Sequence, residues 1–119
     1  MNSKKSILRE KSYLFAIKIV RLIKYLQIEK KEFVLQKQLL RSGTSIGALI
    51  HEAEFAQSNA DFISKFSIAL KEANESLYWI SILKDTEYIT EIQYNEYDKD
   101  CNELVSMLVS TIKTLKNKE

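Results

Sequence analysis

The most chemically suggestive neighbours in the chain are His51 and Glu52, with Glu72 and Glu75 further along. Imidazole and carboxylate together can hold a transition metal. A di-iron bundle, however, needs Glu-x-x-His twice, plus a Glu from each of two other helices. This chain has one histidine, and adjacent residues on a helix point about 100° apart. His51 and Glu52 therefore do not converge on one ion, and no metal is expected. Glu52, Glu72 and Glu75 read instead as ion-pair partners for Arg41 or a lysine across packed helices. Ser42, Thr44 and Ser45 lie near His51, but no nucleophile elbow or Ser/His/Asp order surrounds them. Hydroxyls bonding back to helix carbonyls explain them. Cys101 sits among Asp98, Asp100 and Glu103, which raise a thiol pKa, so it reads as a small packing residue. A single cysteine excludes an internal disulfide and the usual multi-cysteine zinc sites. No P-loop, dinucleotide fingerprint or zinc motif is present. Catalysis, a cofactor and a small-molecule substrate are all unexpected.

The elements that carry these residues read as helices. There is no proline, and Gly43 and Gly47 are the only glycines in 119 residues, where an average chain would hold roughly eight glycines and six prolines. Sheets with many tight turns need such residues, so a few long helices with short loops are favoured. The first spans about 6–26, with one apolar stripe of Phe15, Ile19, Leu22 and Leu26 and a second of Ala16, Val20 and Ile23. The next spans about 32–57, its Leu35, Leu39, Ile46, Ile50 and Ala53 staying in phase across both glycines. Gly43 and Gly47 fall on one face and mark close helix packing. Ser58 with Asp61 forms a capping-box candidate for a third helix reaching about residue 84, with a seam of Phe62, Phe66, Ala69, Ala73, Leu77 and Ile80. Thr90 with Gln93 is a second candidate box, opening a helix with Tyr97, Cys101, Leu104, Leu108, Ile112 and Leu115. The expected fold is all-α, an antiparallel up-and-down four-helix bundle forming one domain over 1–119. No apolar run approaches a membrane span and no signal-peptide core follows Met1, so a cytoplasmic protein is expected.

Two surface features suggest partners. Net charge is +2, yet residues 1–41 carry eleven Lys/Arg against three acids and residues 42–119 carry seven against thirteen. Such asymmetry serves an anionic partner or pairs a basic helix with an acidic one. Lys4, Lys11 and Lys18 repeat every seven residues, and Arg21 and Lys24 continue the positive surface. They are the candidate nucleic-acid contacts, weak and blind to sequence, because no aromatic platform interleaves with them. On the third helix, Ile68, Trp79 and Ile82, with Glu75 between them, form an apolar strip opposite the core seam. That strip suggests an oligomer interface or a long side chain folded over the bundle.

The segments Gln38-Leu39-Leu40-Arg41-Ser42-Gly43-Thr44-Ser45-Ile46-Gly47-Ala48, Glu52-Ala53, Ile68-Ala69-Leu70-Lys71-Glu72-Ala73-Asn74-Glu75 and Tyr78-Trp79 closely resemble a bacterial four-helix-bundle family. It is also called the 23S rRNA intervening-sequence protein family. The resemblance implies a cytoplasmic bacterial protein that assembles as a ring-shaped homopentamer and has no established biochemical activity. The chain is also similar to the accessory proteins of diversity-generating retroelements, which are pentameric, basic and associated with nucleic acid and a reverse transcriptase. Its modest charge departs from theirs. Two functions are therefore expected to compete: a non-enzymatic oligomeric scaffold or interaction module, and a weak RNA- or DNA-binding protein using the first helix.

Overall fold

A computed structural model describes residues 3–118, the side chains of Ser3 and Lys4 excepted. Four helices follow one another: α1 (Ser3–Ile28), α2 (Leu35–Ala53), α3 (Asn59–Asp85) and α4 (Glu91–Lys116). Each packs against its neighbour in the chain, α4 closes back on α1, and the diagonal pairs do not approach. The result is an antiparallel up-and-down bundle with extents of 47 × 22 × 20 Å.

On α1 the buried face is Leu8, Ser12, Phe15, Ile19, Leu22, Ile23 and Leu26. Each large apolar side chain there contributes roughly 1.5–3 kcal/mol when fully removed from water. The second stripe divides: Ile23 enters the core, Ala16 is half-buried and Val20 is exposed. Ala16 and Val20 sit on the outer edge of the helix, where both line surface depressions.

α2 begins three residues later than its periodicity suggests, and the cause is local. The buried Glu32 carboxylate accepts the backbone N–H groups of Val34, Leu35 and Gln36 at 2.9, 2.8 and 2.7 Å. It thus satisfies donors that a helix start leaves open, and a negative charge there suits the macrodipole. Lys31, in the left-handed region at φ 54°, turns the chain into this cap. At the other end α2 stops at Ala53, short of the expected Gln57.

Ser58 caps α3 by accepting from the Asp61 N–H at 3.0 Å. The return bond goes elsewhere than expected, since the Asp61 carboxylate accepts from Gln57 N–H at 3.2 Å. Thr90 and Gln93 form the complete reciprocal box at the start of α4. The α3 seam is Ile63, Phe66, Ala69, Ala73, Ser76, Ile80 and Leu83, with Phe62 and Leu77 half-buried beside it.

The helices are not evenly spaced. α1 and α2 meet at the two glycines: a Cβ on Gly47 would lie 3.1 Å from the Ser12 carbonyl oxygen. α2 and α3 are joined at a buried small-residue contact, Ser76 Oγ donating to Ser42 Oγ at 2.9 Å. α1 and α4 approach closely at far fewer places, and long charged side chains span the wider seam between them.

Candidate assembly surface

The tight α1/α2 seam has an outward consequence. Small residues at its rim, Ala16 on α1 and Thr44, Gly47 and Ala48 on α2, leave an open groove of about 750 Å³. Arg9, Glu10 and Tyr13 border it on one side and His51 on the other. Tyr13 is 66% exposed, and Phe55, whose ring meets His51 edge-on at 5.9 Å, is 75% exposed. A shallower depression shares Tyr13 and Ala16 and continues the face past Val20 to Lys24. The Thr44 hydroxyl donates to the Leu40 carbonyl at 2.7 Å, so its proton is held within α2. Arg9 is held by Glu54.

His51 is exposed and flanked by Phe55, and among the described residues no group of three or more His, Cys, Asp or Glu is placed to hold a metal ion. What the geometry offers is a trough with a small-residue floor and aromatic borders, the form that lets another helix approach. Sequence reasoning missed it. The available signal was Ala16, Thr44, Gly47 and Ala48 recurring beside Tyr13 and His51 at helical spacing.

The α3 strip lies elsewhere than opposite the core: it runs along the outer edge of α3 that adjoins α2. Arg41 reaches across from α2, its Nη1 donating to both oxygens of Glu72 at 3.1 and 3.2 Å and its Nη2 to Glu75. Glu75 also accepts the Trp79 indole N–H at 3.1 Å. The indole, then Arg41, holds the Glu75 carboxyl below the usual carboxylate range against the opposing effect of burial. Trp79 packs half-buried against the core with Tyr78 edge-on at 5.0 Å, Ile82 is half-buried, and Ile68 is exposed. The burial of Trp79 is thus accounted for within its own chain. Glu52 is exposed and takes no part in an ion pair among the described residues.

The basic residues of α1 separate into two sets. Lys11 pairs with Glu103 at 3.2 Å, and Lys18 lies 2.5 Å from both Glu96 and Asp100 on α4. Burial lowers the Lys18 pKa, but the hydrogen bonds to Asp100 and Glu96 outweigh it and the net shift is upward. Tyr97 donates its hydroxyl to the Lys18 carbonyl at 3.2 Å beneath this cluster. Arg21 and Lys24 are exposed and outside these pairs. The side chain of Lys4 lies outside the described residues. Of the basic residues on α1, Lys11 and Lys18 are therefore committed to joining α1 to α4.

Comparisons with known proteins agree with this architecture. The family model described as 23S rRNA-intervening sequence protein matches residues 4–110. A crystal structure of a protein with unknown function from the S23 ribosomal protein family of Bacteroides thetaiotaomicron VPI-5482 is similar at 56% identity and a TM-score of 0.91. The match covers 92% of this chain and 98% of that one. A comparison with the curated proteins finds no match. The chain belongs to the 23S rRNA-intervening sequence protein family.

Proposed function

We propose that this member of the 23S rRNA-intervening sequence protein family is a non-enzymatic scaffold that assembles with copies of itself through its α1/α2 face. The groove of about 750 Å³ bordered by exposed Tyr13 and leading to exposed Phe55 carries this reading. Single exposed apolar residues are ordinary on a protein surface, whereas a groove floored by small residues between two helices and flanked by exposed aromatic rings marks an interaction site. The resemblance set out above implies five copies in a ring and the bacterial cytoplasm as its place. The strip of Ile68, Glu75, Trp79 and Ile82 is the less favoured surface, because Trp79 is already half-buried on its own bundle. Weak RNA or DNA binding loses support for a similar reason, since Lys11 and Lys18 face carboxylates. Light scattering coupled to size exclusion tests the reading: it expects a multiple of the 13.9 kDa chain, and a single-chain mass contradicts it.

A further inference from the structure

We infer that the tip where α1 turns into α2 is a docking point for a protein segment in which acidic residues flank bulky apolar ones. The inference stands apart from the self-assembly reading. The groove engages α1 from Ser6 to Ala16, whereas this tip begins at Ile28.

Three apolar side chains face water here without a local reason. Ile28 ends α1, Phe33 and Val34 precede α2, and all are exposed, Val34 to 73%. Val34 holds the N-cap position of α2, where Ser, Thr, Asp or Asn is preferred. Its side chain makes no capping hydrogen bond, because the buried Glu32 carboxylate takes the free N–H groups instead. Capping therefore asks nothing of Phe33 or Val34, and polar residues would serve the fold at both. The loop that carries them is nonetheless tied down. The Glu29 N–H donates to the Tyr25 carbonyl at 2.8 Å and the Glu32 N–H to the Leu26 carbonyl at 3.0 Å. A loop already fixed loses little freedom on binding, which favours recognition through a small tip.

Charge indicates the chemistry of the partner. Lys30 and Lys31 lie in the loop and Lys37 in the first turn of α2, with Lys24 one turn back on α1, all exposed. None of the four has a carboxylate partner among the described residues. Between residues 24 and 37 the one exposed acid is Glu29. The partner is therefore anionic, and the neighbouring loop narrows its shape. Up-and-down topology puts the α3–α4 connection at the same end, where Asp85, Glu87 and Glu91 are exposed. A flat anionic membrane meeting this end would be repelled by those acids, whereas a narrow partner seated on the α1–α2 corner avoids them. A nucleic-acid strand is narrow too, but its bases stack on aromatic faces. The tip offers one ring, Phe33, beside aliphatic Ile28 and Val34. Apolar side chains set between carboxylates match the three apolar residues and the lysines together, with the charges fixing orientation.

The test pans short random peptides displayed on phage against the immobilised protein. The enriched sequences are then measured by fluorescence anisotropy on the wild type, Phe33→Ser/Val34→Ser and Lys30→Glu/Lys37→Glu. Serine suits an N-cap and a glutamate at position 37 suits the first turn of α2, so both variants should fold. Circular dichroism and light scattering check that helix content and mass match the wild type. The expected result is enrichment of peptides with Asp or Glu beside Leu, Phe or Trp, each variant binding them about tenfold more weakly. Affinity for the wild type should fall with salt, and for the charge variant it should respond less. No enrichment, enriched peptides without acids, or equal binding to both variants overturns the proposal. A labelled oligouridylate and vesicles of phosphatidylcholine with phosphatidylserine are measured alongside. Tighter binding of either through the same residues assigns the tip to nucleic acid or membrane and overturns the protein-segment proposal.

Discussion

A Cβ placed on Gly43 would lie 2.9 Å from Ile19 Cγ1, so the absence of one side chain on α2 sets how closely α1 can lie. Ile19 is fully buried and has nowhere to retreat. Replacing glycine by alanine inside a helix ordinarily gains about 1 kcal/mol, while overpacking a core costs about 1–3 kcal/mol. The collision should win. Gly43→Ala is expected to lower stability by about 1 kcal/mol or more, read as a lower urea midpoint. In an Ile19→Ala background the same change should become neutral or stabilising. A raised midpoint for Gly43→Ala alone contradicts the close-packing account.

Glu75 links Trp79 to Arg41 and has a lowered pKa. Its stabilising effect is therefore present above the unfolded carboxyl value of about 4.3 and is lost as pH falls through the folded value. The advantage of the wild type over Glu75→Gln should be small at neutral pH, about 1 kcal/mol or less for so solvated a pair. It should vanish in the acid range. Urea midpoints measured across pH decide this, and two curves that stay parallel down to acid would remove the linkage.

Cys101 is fully buried, donates to the Ala73 carbonyl at 3.3 Å, and has its pKa pushed up to about 12 by burial, then by Asp98 and Asp100. The thiolate is the reactive form. Thiol labelling at mildly alkaline pH should be negligible in the native protein and become complete on adding denaturant. Rapid stoichiometric labelling without denaturant would show that Cys101 is not held in the core.

Lys18 and Lys24 are both basic residues of α1, yet they should respond differently to reversal. Lys18→Glu would set a third negative group against Glu96 and Asp100, and is expected to destabilise by about 1–2 kcal/mol. Lys24 is exposed without such partners, so Lys24→Glu should change chain stability by no more than about 0.5 kcal/mol. The same division bears on nucleic acid. Any RNA retained at low salt should be released by physiological ionic strength, as expected where only phosphate contacts act. Retention persisting there would restore the nucleic-acid reading.

The apolar repeat of α1 and the Thr90 box were legible because each depends on residues a few positions apart. The start of α2 was less so: Glu32 continues the helical pattern in type, but its carboxylate turns onto the following N–H groups and ends the run there. Ser76 joined the α3 seam unseen, because a serine enters a core only where a partner such as Ser42 meets it from another helix. The charge asymmetry was plain in the sequence, whereas the pairing of Lys18 with Asp100 depends on how α4 folds back. The groove was hidden for a similar reason. Ala48 and Ala16 are unremarkable until two helices set them side by side.

Ala48 tests the central claim most directly. It is exposed and lines the α1/α2 groove, and arginine is nearly as good a helix former as alanine. Ala48→Arg should therefore fill the trough without disturbing the bundle. Light scattering should find the wild type at a multiple of 13.9 kDa and Ala48→Arg at the single-chain mass with unchanged helix content. A wild type that stays single at all concentrations, or an Ala48→Arg protein that assembles as the wild type does, would contradict assembly through this face.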